Sequence, residues 1–299
     1  MATDLVYKFK TANALVKLIA VNVLVFIVFG LLEFIFQVKY PAGSFRGWFM
    51  LPSDLGALVL KPWSIITYAF LHNGFFHILW NMLFLYWFGN YVLNLFTQKR
   101  VLTLYFLGAI SGGLLYLLAY NLFPVFDSEQ GIMQGASAAV YAVMVFIATY
   151  TPNAQMRIFT FNIKLWQIAL FFVLFDVVKL IGTNDPSGNN AGGLIAHLGG
   201  ALLGYFYATQ LAKGNDIGRW FESLMDQWVG IFAPRKKKPF KKVHRTAKPY
   251  TKATASNVDK DDKQKKIDSI LDKISKSGYE SLSKSEKDYL FKAGNDSNT

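Results

Sequence analysis

The chain has 299 residues, of which 53% are apolar and 16% aromatic, and a net charge of +12. Several apolar runs are long enough to cross a bilayer at about 1.5 Å of rise per residue, which points to an all-α, multi-pass membrane protein and excludes a soluble globular domain. The absence of cysteine excludes disulfides, a thiol nucleophile and thiolate metal ligands. With four histidines and no His-Glu-x-x-His pattern, no metal site of the usual protease kind and no cofactor are expected.

The first predicted span, Ala14–Phe36, follows Lys8 and Lys10 and reads as a retained anchor, too long for a signal peptide and with no small-residue cleavage site after it. A loop from Gln37 to Thr67 carries Trp48, Phe49 and Trp63. It is either a piece lying at the membrane interface or an ordinary connection. Five further spans are predicted at Tyr68–Phe96, Val101–Phe123, Ala136–Tyr150, Leu165–Ile181 and Ala191–Leu211, the third of these short and ended by Pro152 and Asn153. Lys99 and Arg100, Arg157 and Lys164, and the basic tail fall on the side of Lys8 and Lys10. The loops with Asp127, Glu129 and Asp185 lack basic residues. Both termini are therefore expected in the cytoplasm, with the long first loop (Lys39, Arg46, Lys61) as a mild exception.

Spans two, four and six then enter from the outer face and bring polar residues into its half of the bilayer. Ser137 opens span four within Gly135-Ala136-Ser137-Ala138, where unpaired backbone N–H groups and the helix dipole would stabilise an oxyanion. The same small residues could be packing surface alone. His197 lies just inside span six, and ionisable residues in spans are rare and usually functional, so the two suggest a nucleophile and its base. His77 and Asn81 share one face of span two, although Asn81 is equally read as an interhelical hydrogen-bonding residue. Gly108-x-x-x-Gly112 and Gly200-x-x-x-Gly204 are close-packing patterns, the latter expected to draw span six against span four.

Beyond this membrane domain, residues 1–213, the segment 214–234 reads as an interfacial amphipathic helix. Trp220, Phe221, Leu224, Met225, Trp228, Val229 and Phe232 form its stripe, opposite Arg219, Glu222, Ser223 and Asp226. A basic flexible linker, 235–262, contains Arg235-Lys-Lys-Lys238 and runs on through Lys241, Lys242 and Arg245. An anionic lipid surface is its expected partner, in preference to nucleic acid. Residues 263–299 read as a small helical hairpin: Ile267, Ile270, Leu271 and Ile274 on one helix, a stop at Ser277-Gly278, and a capping box Ser283-Lys-Ser-Glu286 opening the second. Too small to build much core, it is expected to dock on a protein partner or on the membrane domain.

The region Pro62–Lys213, with His77-Ile-Leu-Trp-Asn81, Gly135-Ala-Ser137 and Ala196-His197-Leu-Gly-Gly-Ala-Leu-Leu-Gly204 in this order, resembles the rhomboid intramembrane serine proteases. The resemblance implies a six-helix bundle, a Ser137–His197 dyad, oxyanion stabilisation by His77, Asn81 and the Ser137 N–H, and a Tyr141 ring packed on the base. It also implies single-pass or membrane-anchored protein substrates cut near the outer face. Two departures stand out, neither touching the chemical groups and both expected to be tolerated: Ala138 where the family often has glycine, its methyl able to crowd span six or the substrate, and Trp63-Ser64 where the family often has Trp-Arg. On this reading no acidic third member is required. Asp176 is a packing, interfacial or hydrogen-bonded group, Asp185 a solvated charge, and a polar cavity opens to the outer face. The alternative is a catalytically silent rhomboid-like binder of membrane helices.

Overall fold

The computed structural model describes residues 2–40, 44–126, 131–158, 160–182, 190–232 and 258–295. The acidic loop residues Asp127 and Glu129, Asp185, and the polybasic run 235–245 lie outside them. The chain divides into two compact units, Met1–Pro234 and Arg235–Thr299.

The first unit is mostly helical. After α1 (Ala2–Thr11), α2 (Ala14–Lys39) is capped by the Asn13 side chain, which accepts from the Val16 N–H. The long loop that follows is folded, with strand β1 (Leu51–Pro52) and short helices α3 (Leu55–Leu60) and α4 (Ser64–Thr67). Then come α5 (Phe75–Leu95), α6 (Gln98–Leu122), β2 (Ile132–Met133), α7 (Ser137–Tyr150), the hairpin β3 (Gln155–Ile158) and β4 (Phe161–Lys164), α8 (Leu165–Ile181), α9 (Ala191–Ala212) and α10 (Arg219–Phe232). Among the described residues, α2, α6 and α9 are long and apolar enough to cross a membrane.

Helix α7 is the centre of this unit. Every residue from Ala138 to Ala148 is buried, and the helix packs against α5, α6, α8 and α9. A helix that is apolar all round suits only such a place. Its neighbours reach it by backbone contact: a Cβ on Gly200 would collide with the Ala138 carbonyl, and one on Gly112 with the Ala138 methyl. The Ala138 methyl is received by the glycine of α6.

The predicted second span begins later than expected. The apolar run hides a break: a 3-10 turn at Tyr68–Phe70, then Asn73 and Gly74, the latter at φ +96°. Such a backbone conformation is open to glycine and starts α5 afresh at Phe75, so His77 is its third residue rather than one well down a longer helix.

The first loop is fixed by specific bonds. Glu33 of α2 accepts from the Arg46 backbone N–H at 2.9 Å and from the Ser44 hydroxyl at 2.9 Å, while the Arg46 guanidinium reaches the His72 carbonyl at 3.3 Å. Trp63 donates to the Trp48 carbonyl at 2.9 Å. Arg46 thus ties this loop both to α2 and to the stretch before α5.

At the opposite end of the bundle from the loop, Arg100 of α6 bonds Asp216 at 2.6 Å and Glu222 at 3.0 Å, and Lys99 bonds Asp226 at 2.5 Å. The polar side of α10 is therefore paired with α6, while Trp220, Trp228 and Val229 are exposed.

The second unit contains α11 (Val258–Ser277) and α12 (Lys284–Asn295), joined through Gly278 at φ +76°. Its first helix starts five residues before the expected hairpin boundary at 263. The Ser283 N–H donates to Glu286 at 2.7 Å and the Glu286 N–H to the Ser283 hydroxyl at 3.4 Å, the reciprocal pattern of a capping box. The Ser283 N–H and the Lys273 ammonium hold the Glu286 carboxyl down at about 2.

Candidate active site

A cavity of about 400 Å³ lies where α5, α7 and α9 begin, and it gathers His77, Asn81, Gly135, Ser137, Tyr141 and His197. These residues come from α5, α7, α9 and the turn before α7, and lie up to 120 positions apart in the chain. The residues just before α7 bring Ser137 to the cavity. β2 pairs with β1 in the first loop, and the Gly135 N–H donates to the Tyr68 carbonyl at 2.9 Å. Gly135 adopts φ +136°, and a Cβ there would lie 2.9 Å from His77 Cε1, 3.0 Å from its Nε2 and 3.6 Å from Ser137 Oγ. Conformation and space both demand glycine, which seats the imidazole of His77 and the serine hydroxyl on either side of one small residue.

The hydrogen bonds assign roles to the rings. His77 Nδ1 accepts from the Asn73 N–H at 3.2 Å. An acceptor nitrogen carries no proton, so Nε2 holds the N–H and presents a donor to the cavity. Asn81 donates one amide hydrogen to the His77 carbonyl at 2.8 Å and keeps a second. Ser137 is the first residue of α7, where the backbone N–H groups lack partners within the helix. Three residues that carry such donors therefore line the cavity, Ser137 among them.

His197, seventh in α9, is held on two sides. The Tyr141 ring stacks on it with centroids 4.4 Å apart and planes 16° from parallel. Its Nδ1 lies 2.7 Å from Asp176 Oδ2, on α8. Sequence reasoning allowed Asp176 a hydrogen-bonding role but gave the base no acidic partner. The signal was present as an ionisable residue within an apolar helix, yet nothing in the spacing of 176 and 197 names the pairing. His72 also escaped notice: buried at 2% exposure, its ring stands 5.3 Å from that of His77.

Gly200 does not line the cavity. It lies three residues after His197 and rests on the Ala138 carbonyl, so it sets the approach of α9 to α7. The cavity is less polar than expected, being walled by Phe76, Trp80, Phe84, Met144 and Phe172 beside the polar set. A more polar chamber of about 540 Å³ adjoins it and shares His77, Met133, Gln134, Asn190 and Gly193.

Comparison with known proteins follows the same region. Residues 60–214 match the rhomboid domain, and residues 250–292 match a family of unknown function, DUF6576. RHOMBOID-like protein 12, mitochondrial, of Arabidopsis thaliana is 29% identical over 164 residues, covering 51% of this chain and 47% of the relative. Rhomboid protein 1, mitochondrial, of Saccharomyces cerevisiae is 28% identical over 172 residues, covering 53% and 47%. The human presenilin-associated rhomboid-like protein, mitochondrial, is 27% identical over 156 residues, covering 51% and 38%. The chain thus spans about half or less of the length of these relatives. The matched domain takes in more than half of the 299 residues and holds every residue gathered at the cavity, and by that match the chain belongs to the rhomboid family.

Proposed function

We propose that this protein is an intramembrane serine endopeptidase that cuts membrane-anchored proteins through Ser137 and His197. The observation that carries this reading is the convergence of a helix-initial serine, a histidine whose Nδ1 is already engaged, and a cluster of donors on one cavity. As the Ser137 oxygen bonds to the substrate carbonyl carbon, its proton passes to His197 Nε2 and the carbonyl electrons move onto oxygen. The oxyanion faces His77 Nε2–H, the free Asn81 N–H and the Ser137 backbone N–H. Collapse breaks the C–N bond, and His197 returns the proton to the departing amine. Water then attacks the acyl carbon, gives its proton to His197, and Ser137 leaves as the hydroxyl.

In this reading α2, α5, α6, α7, α8 and α9 are six membrane crossings, both termini are cytoplasmic, and the cavity opens to the outer face, with the adjoining polar chamber admitting water. The basic run 235–245 would hold anionic lipid head groups, and the hairpin tail would dock a protein partner. The test is labelling of the purified protein by a fluorophosphonate probe, together with cleavage of a reporter carrying one membrane span. Native protein should be labelled and active, whereas Ser137→Ala should lose both and His197→Ala should lose turnover, each with unchanged thermal unfolding. Full turnover by a folded Ser137→Ala variant would sink the mechanism. A native protein that is folded, unlabelled and inactive would instead favour a silent binder of membrane helices.

A further inference from the structure

Asp176 is only 4% exposed, within a helix whose neighbouring side chains are apolar. An ionisable group so placed is costly unless it is paired, and its partners are His197 Nδ1, 2.7 Å from Oδ2, and the Tyr141 hydroxyl. An ionised carboxylate only accepts hydrogen bonds, so the pairing puts the imidazole proton on Nδ1 and leaves the lone pair on Nε2. The Tyr141 ring, stacked at 4.4 Å, fixes the imidazole plane that this one bond would leave free to turn. Two helices, α7 and α8, thus set the plane and the tautomer of a ring carried by a third.

We infer that Asp176 is a positioning residue for the chemistry at Ser137. It keeps His197 as the Nδ1–H tautomer, with Nε2 ready for the serine proton, and steadies the imidazolium once that proton has arrived. The inference rests on the protease reading above. One proton moves, from Ser137 Oγ to Nε2; the Nδ1 proton stays on the ring and the carboxylate stays ionised.

Asp176→Asn and Asp176→Ala separate this role from packing. The asparagine amide has the size of the carboxylate but can donate to Nδ1, which traps the Nε2–H tautomer that cannot take the serine proton. Alanine leaves space for water and lets either tautomer form. Packing predicts the reverse order, since alanine leaves a hole and asparagine does not. Turnover of the single-span reporter and the rate of fluorophosphonate labelling should fall by about 10³-fold in Asp176→Asn, approaching the loss of about 10⁴-fold seen in serine proteases when the acid that orients the base becomes an amide. Asp176→Ala should lose about tenfold less than that, with KM for the reporter within about threefold of native in both. Asp176→Glu should recover more activity than Asp176→Asn.

If Asp176→Asn is labelled as fast as Asp176→Ala, the inference is overturned. Should the alanine variant not fold, the ¹⁵N spectrum of labelled histidine decides. His197 should carry its proton on Nδ1 in native protein and on Nε2 in Asp176→Asn, and a native ring protonated on Nε2 would overturn the idea. Ser137→Ala and His197→Ala run alongside keep the two failures apart. If they stay active, the protease reading falls; if they are dead while asparagine matches alanine, only the role of Asp176 falls.

Discussion

Where α6 begins and α9 finishes, Arg100 meets Asp216 and Glu222, Lys99 meets Asp226, and the Tyr207 hydroxyl closes on Asp216 at 2.9 Å. Where α5, α7 and α9 begin, His77 and Asn81 take part of their hydrogen bonding from local backbone and keep a donor each for the cavity beside Ser137. The first end joins its polar groups to one another and so anchors α10. At the second, His197 is held by Asp176, but His77 and Asn81 leave donors aimed at space and do not hold each other in place. Their positions are set by backbone contact instead: Gly135 bonded to Tyr68, Asn73 bonded to His77, and Gly200 resting on the Ala138 carbonyl. Ion pairs fasten one end, whereas glycine packing together with the Asp176–His197 bond aligns the other.

The comparison is broken most sharply at the donors. Asn81→Ala removes a neutral donor and little packing, so turnover of the reporter should fall by about 10²–10³-fold with nearly unchanged KM, the range expected for one oxyanion donor. Weakened binding with intact turnover would make Asn81 a substrate contact. Next comes Gly200→Ala. Its added Cβ meets a backbone carbonyl that cannot rotate away, so α9 must shift from α7 and carry His197 with it. Overpacking of this kind costs about 1–3 kcal/mol, and the unfolding midpoint should drop accordingly. We expect turnover to fall about tenfold, since about 1.4 kcal/mol in the barrier suffices for that. A variant with lowered stability and full activity would show that the α7–α9 contact does not set the Ser137–His197 geometry.

The same distinction explains what could be read in the sequence. Ser137, His197, His77 and Asn81 stood out because polar residues inside apolar runs are conspicuous, and the ends of α8 coincide with its apolar run, Leu165–Ile181. Four aspects were not legible. The apolar run 68–96 concealed a break in the helix at Asn73-Gly74, because hydropathy does not register a turn made of few residues. The destination of the Ala138 methyl depended on Gly112 in another helix. Arg46 takes its place in the loop through Glu33 and the His72 carbonyl, contacts that local sequence does not encode. The Asp176–His197 bond joins α8 to α9, and pairings between helices follow from rotation about each axis, to which a single sequence gives no direct access.

The smallest expected effect on activity belongs to the anchored end. Burial alone would push the Asp216 carboxyl up, but the Tyr207 hydroxyl and the Arg100 guanidinium outweigh it and hold the group below the usual carboxylate range. A depressed value in the folded state means that Asp216 adds stability above its ordinary value of about 3.9, and that this contribution is lost as pH falls through the folded value. Asp216→Asn should therefore lower stability near neutrality by about 1–2 kcal/mol, the scale of one charged hydrogen bond, with Glu222 still left to Arg100. The stability difference between native and variant protein should shrink below about pH 3.9 as the native carboxylate takes up its proton. Turnover at neutral pH should stay within about threefold of native, less than about 0.7 kcal/mol in the barrier. Unfolding in one detergent across pH 3–7, with reporter turnover at pH 7, measures both quantities. A loss of turnover matching that of Gly200→Ala would mean that the ion-pair end also sets the geometry of Ser137 and His197, and the division of labour between the two ends would fail.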